Sequence, residues 1–139
     1  MKKRRVKSQA SIEFLVIFGV VFLMMIPLII IFFDQTGFVQ DAVAESQIRT
    51  IAVRIVDKAE TVYYTGGSSK TTLRAYLPEG VESFNVTSRA ILANYMTKKG
   101  ILHTIEAVSL VNITGNLSAK PGIHNIEIES AGGVVLIRE

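Results

Sequence analysis

The chain has 139 residues, with 15 Lys and Arg against 12 Asp and Glu, a formal net charge of +3 and no cysteine. Five of the basic residues fall at positions 2–7; without them ten basic residues face twelve acidic ones, so the basicity belongs to the N-terminus and a nucleic-acid-binding role loses its main support. The lack of cysteine excludes a disulfide framework and a thiolate metal site, and with roughly the first 35 residues given to an N-terminal segment only one small domain fits in what remains.

Residues 14–33, "FLVIFGVVFLMMIPLIIIFF", carry no charge and no strongly polar side chain. As a helix this run is about 30 Å long, the thickness of a hydrocarbon core. Lys2, Lys3, Arg4, Arg5 and Lys7 precede it, whereas Asp34 and Asp41 carry the charge just beyond it. The positive-inside rule therefore places the N-terminus in the cytoplasm and the rest of the chain outside. The run ends in "IIIFFDQTG" without the small-residue pattern of a signal-peptidase site. An uncleaved signal anchor, or cleavage on the cytoplasmic side of the run, remains. Pro27 is either a tolerated kink, as is common in membrane helices, or a place where the helix adapts when it moves from lipid into a packed assembly. Glu13 has two readings as well: a first-turn carboxylate favoured by the helix dipole, or a carboxylate that recruits a positive group from another chain. A cut between Ser8 and Gln9 would create such a group, the new amine of Gln9, about one helical turn from Glu13.

The junction "KSQASIEFLV" resembles the class III signal peptide of archaeal type IV pilin-like proteins, in which a charged leader is followed by a Q-x-S-x-E pattern and a long apolar helix. Gln9, Ser11 and Glu13 match that pattern position by position; the residue before the glutamine, most often glycine in the family, is here Ser8. The resemblance covers about the first quarter of the chain. It implies that a prepilin-type peptidase cuts between Ser8 and Gln9, and that the apolar helices of mature subunits bundle into a filament core.

Beyond Gly37 the pattern becomes amphipathic. Ile48, Ala52, Ile55, Ala59 and Val62 recur at alternating steps of four and three, while Asp41, Glu45, Arg49, Asp57 and Lys58 fall largely off that stripe. Glu45 and Arg49 form a favourable pair four residues apart. The spacing predicts a helix from about Gln9 to about Tyr64, capped by Gly66 or Gly67, with Gly37 as a candidate joint.

From Lys70 onward short β-rich runs alternate with turn signals. Strands are expected at 71–77, 81–86, 89–96, 101–111, 123–129 and 134–138, broken at "PEG", "KKG", "AKPG" and "AGG". One antiparallel sheet with its apolar face on the helical stripe accounts for both patterns, which makes the chain α+β. The expected organisation is a cleaved leader at 1–8, a transmembrane or filament-core helix at 9–36, an amphipathic extension at 37–65 and an extracellular β-rich head at 66–139.

Asn85, Asn112 and Asn116 open the triplets "NVT", "NIT" and "NLS", candidate N-glycosylation sites in an exported domain. His103 and His124 stand in predicted strands without an acidic cluster nearby in sequence, so surface or partly packed histidines are expected, not ligands. "GGSSK" at 66–70 lacks the spacing of a phosphate loop and follows a helix, so it reads as a cap and linker. No paired carboxylates or Ser/His/Asp grouping is evident; neither an enzyme nor a cofactor is expected. The resemblance implies a structural subunit of a surface filament with adhesion-type roles. Its partners would be copies of itself and related pilins, the peptidase, the pilus assembly machinery and the membrane. The competing expectation is a membrane-anchored binding module that does not polymerise, or a minor pilin.

Overall fold

Helix α1 runs Lys3–Thr65 and is followed by β1 (Lys70–Leu77), β2 (Val81–Val86), β3 (Ala90–Met96), β4 (Leu102–Val108), β5 (Ile113–Gly115), β6 (Gly122–Ala131) and β7 (Val134–Arg138). The computed structural model describes the backbone of residues 3–139 and the side chains of residues 11–139. The chain divides into two units, one ending at Val39 and the other spanning Gln40–Glu139.

The first unit is helical throughout its described residues. α1 includes residues from Lys3, well before the expected start near Gln9, because nothing in "KRRVKSQA" breaks a helix. Pro27 lies inside α1, and Gly37 does not interrupt it.

In the second unit the helical stripe is buried as its spacing implies: Ile48, Ala52, Ile55 and Ala59 are fully buried and Val62 nearly so. Ile51 and Val56 are buried as well, which widens the stripe. The helix stops where the sequence places glycine. Gly66 adopts φ 75° and its amide donates to the Tyr63 carbonyl at 3.2 Å, a left-handed cap open to glycine at little cost.

The head is α+β, with its strands packed on the helix, but they form two sheets where the sequence suggested one. The first has the order β1-β6-β7-β5, the second β2-β3-β4. All ladders are antiparallel except β5 with β7, which is parallel. The expected strand at 101–111 accounts for the difference. It ends at Val108, and Ser109 turns the chain: its hydroxyl donates to the Val111 carbonyl at 2.9 Å and accepts from the Val111 amide at 3.2 Å. The Ser109 amide donates to Arg89 O in the second sheet's corner, and three residues further on Asn112 O accepts from the Val135 amide of the first sheet. The chain thus crosses between sheets in a few residues and forms the three-residue β5, too short to leave a periodicity signal.

The inner faces alternate as expected. In β6, Ile126, Ile128 and Ser130 are buried while Ile123, Asn125 and Glu127 are exposed. Leu77, Ile126, Ile128, Val135 and Ile137 from one sheet, and Phe84, Ile91, Ala93, Tyr95 and Ile105 from the other, share one core with α1.

Candidate functional site

The N-terminal unit presents apolar surface on every side. Between Phe14 and Phe33 the large apolar side chains are 49–72% exposed, and none of the most apolar window is buried. A helical run that is apolar all round and exposed on every side requires an apolar surrounding, lipid or other helices. It is long and apolar enough to cross a membrane. At the far end of the run, Thr36 Oγ1 donates to the Phe32 carbonyl at 2.9 Å, so the first hydroxyl after the run is satisfied within the helix.

Of the processing motif, Ser11 and Glu13 are exposed on α1. Ser8 and Gln9 belong to the backbone of α1, but their side chains lie outside the described residues.

In the head, three polar clusters tie strands and turns to α1 or to each other. Asp41, read from sequence only as a charge, accepts at one oxygen from the Tyr95 hydroxyl at 2.8 Å and from the Lys98 amide at 3.3 Å. Lys98 Nζ donates to Gln40 Oε1 beside it. Burial, reinforced by the Asp41 carboxylate, pushes the Tyr95 phenol up to about 12, so it stays a donor across the physiological range. One turn along the helix, Glu45 stands 3.8 Å from Arg49, the pair expected from spacing, and 3.6 Å from His103 of β4. Further on, Glu60 accepts from the Leu110 amide at 2.9 Å and fixes the end of the Ser109 turn.

The third cluster surrounds His124. Its Nδ1 lies 2.6 Å from Glu139 Oε1 and its Nε2 lies 2.6 Å from the Lys120 carbonyl. Both partners are acceptors, so the neutral ring makes one of these hydrogen bonds and the doubly protonated ring makes both. Glu139 also accepts from the Ser118 amide at 2.8 Å. Burial pushes the Glu139 carboxyl up, but the Ser118 amide and His124 outweigh it and hold it below its usual range. The cluster pins the loop between β5 and β6 to the last residue of the sequence, over a crevice of about 10 Å³ lined by Ile51, Ile55, Leu77, Phe84 and Ile126. That volume admits about one water molecule and no organic ligand.

The two histidines face different partners: His103 lies near Glu45 and His124 near Glu139, and among the described residues no group of three His, Asp or Glu could hold a metal. Lys70, at the end of "GGSSK", bonds Glu127 across the β1–β6 ladder at 2.8 Å. The three candidate glycosylation asparagines are all exposed: Asn85 lies within β2, Asn112 just before β5 and Asn116 just after it.

The Asp41–Tyr95 and His124–Glu139 contacts join residues far apart in sequence, so no spacing pattern could announce them. No protein-family model, curated protein or solved structure matches the chain.

Proposed function

We propose that the chain is a structural subunit of an archaeal type IV pilus-like surface filament. The observation that carries this reading is the order of features along one uninterrupted helix. A basic leader, the Q-x-S-x-E junction, an apolar run exposed on all sides and an amphipathic stripe buried in a β head follow one another without a break. In this reading a prepilin-type peptidase cuts between Ser8 and Gln9, and the N-terminus faces the cytoplasm until assembly. Residues 14–33 exchange lipid for the same segment of neighbouring subunits, and the head stays outside.

Such an exchange gains little from apolar burial, because lipid tails are as apolar as the side chains; packing and a specific polar contact must favour the assembled state. The Gln9 amine of one subunit against Glu13 of another supplies that contact and sets the register. Pro27 frees a carbonyl one turn earlier, so the helix can bend there as it changes surroundings. The exposed asparagines at 85, 112 and 116 are the places where glycans would be attached on the outer surface.

The test is a Glu13→Ala chain expressed in cells lacking the original. We expect membrane insertion and cleavage to persist while filaments, counted by electron microscopy, fall at least tenfold. Normal filament numbers would remove the register role of Glu13. A chain that is inserted and cut but never recovered in filaments, with or without Glu13, would favour the non-polymerising anchored module.

A further inference from the structure

We propose that the groove between α1 and the free edge of β1 takes an extended acidic peptide from a partner protein as an added strand. The inference stands on the head alone and does not depend on the filament reading.

β1 is the longest of the four edge strands, and it pairs with β6 only. Every second N–H and C=O along it therefore points away from the sheet, a ready template for another strand. Two of the other three edges are blunted: β5 has three residues, and β2 carries a register shift between Val81 and Ser83. Beside β1 lies a groove of about 300 Å³, lined by Ser46, Gln47, Thr50, Ile51 and Arg54 of α1 and by Leu73, Arg74, Ala75 and Tyr76 of β1.

The lining states what would fit. Its charged groups are Arg54 and Arg74, with no carboxylate among them. Among the described residues neither arginine is in an ion pair, although Arg49 and Lys70 nearby each have one. Ile51, Leu73 and Ala75 make an apolar floor. The four β1 residues that line the groove span about 13 Å of strand. A peptide alternating aliphatic and acidic residues would place one set on that floor and bring carboxylates to the arginines, while its backbone completes the β1 ladder.

The test uses the full chain, isotopically labelled in detergent micelles, and a capped hexapeptide of alternating Val and Glu. We expect saturable shifts at the amides of Leu73, Arg74, Ala75 and Tyr76, none with a Val-Lys peptide, and loss of binding when alternate amides of the acidic peptide are N-methylated. A double Arg54→Gln, Arg74→Gln chain should bind about tenfold more weakly. Both arginines are exposed, so unchanged shifts elsewhere in the head would show that its fold is kept. Equal binding of the Val-Lys or the N-methylated peptide would overturn the proposal. So would the same amides shifting with protein concentration alone, which would make a second copy the occupant, or tighter binding there of a sulfated saccharide.

Discussion

A methyl group at Gly115 would lie 1.9 Å from the Ile137 carbonyl oxygen, and the residue's φ of 157° adds to the difficulty for any other side chain. Gly115 ends β5 against β7, so a Gly115→Ala change must push two paired strands apart. We expect a loss of about 3 kcal/mol in head stability, read by amide exchange of the detergent-solubilised chain. His124 and Glu139 make a different kind of demand. Because the Glu139 carboxyl is held below its ordinary range in the folded state, its contribution is present above the pKa of the unfolded chain. It is lost as pH falls through the lower, folded value. Exchange of the Ser118 amide should therefore rise as pH falls below the ordinary carboxylate range, after correction for intrinsic rates, and this rise should vanish in Glu139→Gln. At this scale the sequence was least legible. Asp41, Ser109 and Glu139 carry no motif, and each acquires its role from a partner that only the folded chain brings near.

Elements were easier to read, and the reason is periodicity. The 4-3 spacing of Ile48, Ala52, Ile55, Ala59 and Val62 marks one face of a helix, and that face is buried. What the spacing misses is Ile51 and Val56. Phe84 of one sheet and Ile126 of the other both reach the crevice beside Ile51 and Ile55, so α1 is covered over a wider arc than a single sheet would require. Ile55 is fully buried between them, and Ile55→Ala should cost about 2–5 kcal/mol, measured as a shift in the urea midpoint followed by tyrosine fluorescence. The strand at 101–111 was overextended for a related reason. Alternation continues through Ser109, and the turn depends on a hydroxyl bonding two residues ahead, which leaves no break in the apolar pattern.

For the whole molecule, the two units answer different solvents. The second has a core of its own, and among its described buried side-chain polar atoms none lacks a hydrogen-bond partner. The most apolar stretch of the first is not buried at all, which leaves about twenty residues of apolar helix to its surroundings. That contrast was legible from composition alone, because a charge-free apolar run of this length matches the thickness of a hydrocarbon core. The processing step, by contrast, rests on the junction residues Ser8, Gln9, Ser11 and Glu13 and on their likeness to a known pattern. In the proposed reading it is also the step on which filament assembly depends, since Glu13 would need the amine that only cleavage creates. The most direct measurement is therefore the N-terminal sequence and intact mass of the protein isolated from its native cell surface. A start at Gln9, with residues 1–8 lost, is the result expected. A chain that keeps its leader would contradict the account, because no Gln9 amine would then exist to meet Glu13.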